Sequence, residues 1–132
     1  MTEQHGGLTV LVVEDDRGVR DLLVTVLSAE GFAVRTARDG LEGLLKLQIC
    51  EPAAVVLDIM MPDVGGLRVL DELAEEHAEI PIIVVTGKPE AAEQACERLG
   101  SENVFDKPFD IDELVSRIRA VASRPDVTGS GA

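Results

Sequence analysis

The sequence predicts an α/β fold: a doubly wound five-stranded parallel sheet covered by helices on both sides. Two observations carry this expectation. The spacing of apolar residues switches repeatedly between short unbroken runs and helical periodicity, giving five strand and helix alternations in 132 residues. Four of the runs also lead into polar residues: Val10–Val13 into Glu14-Asp15-Asp16, Val55-Val56-Leu57 into Asp58, Ile82–Val85 into Thr86, and Val104-Phe105, after one residue, into Lys107. Buried strands that deliver carboxylates, a hydroxyl and an ammonium to one edge of a sheet describe a chemical site.

Each element follows from local pattern. After the first strand, Val19, Leu22, Leu23, Val26 and Leu27 recur at helical spacing and stop before Gly31. Phe32 to Thr36 reads as a short strand. A second helix runs from about Leu41 to Cys50, with Leu41, Leu44 and Leu45 expected on its inner face and Glu51-Pro52 stopping it. The third strand, Ala54 to Leu57, is followed after Pro62 and Gly65-Gly66 by a helix carrying Leu67, Leu70 and Leu73. Ile82 to Val85, after Pro81, has the unbroken apolar character of a strand buried on both faces.

Lys88-Pro89 suits the opening of a fourth helix, since proline is tolerated at the first helical position, and Leu99-Gly100 ends it. A short strand at about Asn103 to Phe105 precedes Asp110-Ile111-Asp112-Glu113, which has the spacing of an acidic capping box. The final helix then buries Ile111, Leu114, Val115, Ile118 and Val121. The domain is expected to span residues 8–123, with 1–7 and 124–132 as flexible tails or linker.

Composition narrows the function classes. No apolar run approaches a membrane span and the amino terminus lacks a secretory signal, so a cytoplasmic location is expected. Cys50 and Cys96 have no metal-ligand spacing and read as reduced packing residues. A net charge of -13 and the absence of a basic stripe argue against direct nucleic-acid binding by this segment. His5 and His77 read as solvent-facing or structural rather than as phosphorylated residues.

The segments Leu11-Val12-Val13-Glu14-Asp15-Asp16, Asp58-Ile59-Met60-Met61-Pro62 through Gly66, Val84-Val85-Thr86-Gly87 and Lys107-Pro108-Phe109 resemble, in order and separation, the receiver domain of bacterial two-component response regulators. That resemblance implies the flavodoxin-like sheet order 2-1-3-4-5, which makes Asp15 and Asp58 neighbours. Close carboxylates repel one another, so they share a proton or recruit a cation. Oxygen ligands of this kind suit Mg2+, or Mn2+ in its place. The alternative is that Glu14-Asp15-Asp16 merely caps the first helix, a role that suits Asp16 best.

By resemblance, Asp15 and Asp58 are direct metal ligands, the Met60 carbonyl is a third, and Glu14 acts through water. Asp58 becomes the phosphoacceptor for a histidine kinase or histidine phosphotransfer protein. Lys107 reaches a phosphoryl oxygen, and Thr86 is the hydroxyl that answers phosphorylation by drawing its loop inward. The same resemblance implies a cis Lys107–Pro108 bond. Met60 and Lys88 stand where the family tunes phosphoryl lifetime, and an apolar Met60 suggests slow to moderate self-dephosphorylation.

One departure affects output. Val104 stands three residues before Lys107, where the family usually has a tyrosine or phenylalanine that moves with the switch threonine; Phe105 beside it should face the other way. Arg117 and Arg119 are similar to the dimer-forming last helix of winged-helix regulators, although Asn103 occupies the place of the pairing acid, with Glu102 beside it. The ion-pair network of such a dimer is thus incomplete; a downstream protein partner is expected, with a homodimer through the helix 4, strand 5, helix 5 face as a further option. Two other readings stay open: a pseudo-receiver that binds partners without phosphorylation, and the receiver part of a DNA-binding regulator. A stand-alone receiver is slightly preferred, and a small phosphatase is disfavoured because the sequence offers no separate general acid.

Overall fold

The computed structural model describes residues 8–59 and 66–122. Its elements alternate as β1 (Thr9–Val13), α1 (Arg17–Ala29), β2 (Ala33–Ala37), α2 (Gly40–Cys50), β3 (Ala54–Asp58), α3 (Gly66–Glu76), β4 (Ile82–Thr86), α4 (Pro89–Leu99), β5 (Val104–Asp106) and α5 (Ile111–Ala122), with a short 3-10 turn at Ser101–Asn103. All strand pairs are parallel and the order is β2-β1-β3-β4-β5, so the chain reverses direction across the sheet between β1 and β3. In such sheets a crevice opens beyond the carboxyl ends of the two strands at the reversal.

Alternation along each strand divides the interior into two. Leu11, Val13, Val55, Leu57 and Val84 face one side and pack with Leu47 of α2, Val69, Leu70 and Leu73 of α3 and Ala95 of α4. Val10, Val12, Val56, Ile83 and Val85 face the other and pack with Leu23 and Leu27 of α1 and Leu114, Val115, Ile118 and Ala122 of α5. β3 and β4 are buried at every residue, which explains their unbroken apolar runs.

The caps follow the local chemistry. Asp16 accepts a hydrogen bond from the Val19 amide at 3.0 Å and opens α1. Asp39 accepts from the Glu42 amide at 2.8 Å, while Glu42 reaches back to the Arg38 amide at 2.7 Å. Asp110 accepts from the Glu113 amide at 3.0 Å, as the acidic capping pattern predicts.

The expected inner face of α2 is corrected by the structure. Leu41 and Leu45 are exposed, and the buried positions are Gly40, Gly43 and Leu47, with Leu44 packed partly against the core. The reason is close approach: a Cβ at Gly43 would lie 2.9 Å from Val13 Cγ2, so the bare glycine side of the helix seats on β1 and Leu41 and Leu45 rotate outward. Leu22 of α1 likewise turns out to be 49% exposed. The last strand begins one residue later than expected, because Ser101–Asn103 forms a turn that delivers Val104 to the sheet.

Gly43→Val should therefore lower unfolding free energy by about 1–3 kcal/mol, because Val13 is held in the sheet and cannot give way. Urea denaturation checks this, and wild-type stability in the variant would refute the close approach. Gly43→Ala should cost less, since alanine recovers roughly 1 kcal/mol of helix propensity.

Candidate functional site

Glu14 and Asp15 leave the carboxyl end of β1, Asp58 ends β3, Thr86 ends β4, and Lys107 follows β5. The strand order thus gathers residues separated by up to 93 positions in sequence. Glu14 is 1% exposed, Asp58 2% and Thr86 0%, whereas Asp15 is open to solvent. One carboxylate oxygen from each of Glu14, Asp15 and Asp58 can be chosen so that all three lie within 4.8 Å of one another.

Lys107 binds the buried acids together. Its Nζ lies 3.1 Å from Glu14 Oε1, 3.2 Å from Glu14 Oε2 and 3.3 Å from Asp58 Oδ2. The backbone anchors it, since the Lys107 amide donates to the Thr86 carbonyl at 2.8 Å. The Lys107–Pro108 peptide bond is cis, as the resemblance implied. Two buried carboxylates against one ammonium leave an excess of negative charge.

That excess appears in the protonation of Glu14. Burial, together with a hydrogen bond and charge repulsion from Asp58, pushes its carboxyl up to about 7, despite opposing contributions from the Asp16 amide and Lys107. Burial disfavours the Lys107 charge, but the carboxylates of Asp58 and Glu14 outweigh it and hold the ammonium above its ordinary value. Among the described residues Glu14 Oε1 is buried without a well-formed hydrogen bond, and the Lys107 ammonium lies 3.1 Å away. A spare buried oxygen beside two further carboxylates fits a hard divalent cation such as Mg2+, and Glu14, Asp15 and Asp58 are the side chains that could hold it. The Met60 carbonyl lies outside the described residues.

Two contacts escaped the sequence reading. Arg20 Nη1 donates to the Glu14 carbonyl at 2.9 Å and approaches the Asp15 carbonyl at 3.4 Å, pinning the acidic loop from the first turns of α1. An arginine one helical turn beyond the Asp16 cap was the available signal. Thr86 Oγ1 accepts from the Lys88 amide at 3.1 Å, which positions the hydroxyl within its own loop.

The α4, β5 and α5 face also takes shape. Val104 packs with the α2, α3 and α4 side of the core and Phe105 with the α1 and α5 side, so the two do face opposite ways. Arg117 donates from Nε to Asn103 Oδ1 at 2.9 Å, with Glu102 4.0 Å away, and Arg119 lies 3.4 Å from Glu30. Both arginines thus have partners in their own chain.

The two remaining expectations concern cysteine and histidine. Cys50 and Cys96 are half-buried free thiols, and burial pushes the Cys50 thiol up. His77 lines a groove of about 810 Å³ with Leu47, Gln48, Pro52 and Ile80 at the amino-terminal ends of the strands, remote from the acids. None of Glu14, Asp15, Asp58 and Lys107 lines that groove. Among the described residues no helix is long and apolar enough to cross a membrane.

Known proteins share this fold. A profile of the response regulator receiver domain matches residues 10–119. The response regulator MprA of Mycobacterium sp. (strain KMS) is 40% identical over 116 residues, which are 87% of this chain and 50% of that protein. The chain therefore spans about half the length of the curated relatives it matches. Among solved structures, the receiver domain of NtrX from Brucella abortus is 34% identical, covers 86% of this chain and 97% of its own, and superposes with a TM-score of 0.77. A putative response regulator from Chloroflexus aurantiacus is 30% identical, covers 89% and 98%, and gives 0.79. Sheet order, acid cluster and sequence thus agree that the chain belongs to the response regulator receiver family, whose members are signalling domains rather than classical enzymes.

Proposed function

We propose that the chain accepts a phosphoryl group on Asp58 from a histidine kinase or histidine phosphotransfer protein in a Mg2+-dependent reaction. The observation that carries this reading is the position of Asp58: buried at the crevice between β1 and β3, 3.3 Å from the Lys107 ammonium, and beside Glu14 and Asp15. An Asp58 oxygen attacks phosphorus, the phosphorus–nitrogen bond of the donor breaks, and its electron pair stays on the imidazole. A carboxylate is a modest nucleophile, so the domain's contribution is alignment and charge neutralisation. Mg2+, when bound, offsets the charge that the incoming phosphoryl oxygens bring to the acids.

Lys107 follows one of those oxygens as a point charge, and Thr86 donates its hydroxyl to another. Both residues leave strands that border α4. Their movement would be transmitted to the α4, β5 and α5 face by loop closure and small shifts, because Val104 supplies no aromatic ring to swing inward. A protein partner or second receiver docked on that face would read the change.

With a small acyl or amidophosphate donor and Mg2+, intact-mass measurement should show one phosphoryl group added to this protein and none to Asp58→Asn. Equal modification of the variant would overturn the assignment. Val104 favours a second reading, a pseudo-receiver that docks partners unphosphorylated. Absence of both Mg2+ binding and labelling in the wild type would support it instead.

A further inference from the structure

We propose that the outer face of α2 is a self-association surface that takes a second copy of this chain in an antiparallel helix pair. Leu41, Leu45 and Ile49 are 57, 60 and 77% exposed and recur every four residues along one side of the helix. They form an apolar stripe roughly 12 Å long, on a helix whose opposite side is seated on the sheet through Gly43. A contiguous apolar stripe of this kind marks a contact surface rather than scattered surface residues.

The stripe complements itself. With a twofold axis at Leu45, Leu41 of one copy faces Ile49 of the other, and the helix dipoles oppose. Arg38, its side chain 76% exposed and 3.6 Å from Glu42 of its own chain, precedes the helix, and exposed Glu51 caps its carboxyl end. The antiparallel arrangement brings Arg38 of each copy to Glu51 of the other. Charge favours this face in a second way. A chain of net charge -13 repels its own copies, yet on β2, α2 and their connection Arg35, Arg38 and Lys46 offset Asp39, Glu42 and the capping Glu51, so this face is near neutral. Arg35 on the edge strand also discourages direct strand-to-strand pairing, which leaves the helix as the contact.

Three apolar side chains per copy bury less than the roughly 1,200 Å² of a standard interface, so the association is weak and concentration-dependent. Sedimentation equilibrium of the full chain between about 10 µM and 1 mM should show a monomer–dimer equilibrium, and Leu45→Glu should raise its dissociation constant at least about tenfold. Circular dichroism should show Leu45→Glu folded, as its exposure requires. Arg38→Glu alone should weaken the dimer, and Arg38→Glu combined with Glu51→Arg should restore it. A monomer throughout the range would overturn the proposal. So would a dimer that ignores Leu45→Glu but dissociates on Arg117→Ala, because the contact would then belong to the α5 face.

Discussion

Replacing Lys107 with alanine is expected to lower the unfolding free energy of the metal-free protein by about 2–3 kcal/mol near pH 8. Removing one partner of a buried ion pair usually costs about 3–5 kcal/mol, and the 25% exposure of the lysine side chain reduces that. The loss arises because Glu14 and Asp58 are left as close buried anions. It should shrink as pH falls through about 7, where Glu14 takes up a proton and the repulsion is relieved. Thermal or urea unfolding across this range checks the sign, and a loss independent of pH would contradict it. In labelling experiments the same variant should retain some phosphoryl incorporation but lose the accompanying conformational response, because one phosphoryl oxygen is no longer positioned.

The complementary substitution, Glu14→Gln, should have the opposite effect. The Glu14 carboxyl is raised in the folded protein from its ordinary 4.5 to about 7, so the folded state holds its proton more tightly than the unfolded chain does. Its favourable contribution is complete below about pH 4.5 and is lost as pH rises through 7, an effect of about 3 kcal/mol. A neutral glutamine lacks this dependence. Without metal, Glu14→Gln should be more stable than wild type by about 1–3 kcal/mol near pH 8 and nearly equal to it at pH 4. Mg2+ should stabilise the wild type more than the variant, because the variant has lost one of the three clustered carboxylates. Calorimetry with and without Mg2+ tests both statements, and a variant less stable than wild type near pH 8 would refute the first.

Residues at the carboxyl ends of the strands were legible because chemistry and position coincide there. An apolar run interrupted by Asp58 or by Glu14-Asp15 has little explanation other than a sheet edge, and Thr86 and Lys107 gained meaning from the same frame. Helix faces were less legible. Leu41 and Leu45 of α2 were assigned to the wrong side because hydrophobicity was counted and close approach was not: Gly43 carries no hydrophobic signal, yet its lack of a Cβ sets the helix orientation. Arg20 was missed for a related reason. Its partners are the carbonyls of Glu14 and Asp15, and a contact to the main chain leaves no complementary side chain in the sequence to suggest it.

The fully buried strands have a consequence for how the site keeps its place. Where one face of a strand is wet, a slip of one residue is penalised because it turns apolar side chains into water. β3 and β4 have no wet face, so exchanging faces brings no such penalty. Their polar residues can supply it instead. Sliding β3 inward would drag Asp58 between the two apolar half-cores, away from Lys107, and sliding β1 would do the same to Glu14. The buried acids thereby act as end-stops for the strands that present them, and a substitution at Asp58 or Glu14 also loosens the alignment of the sheet.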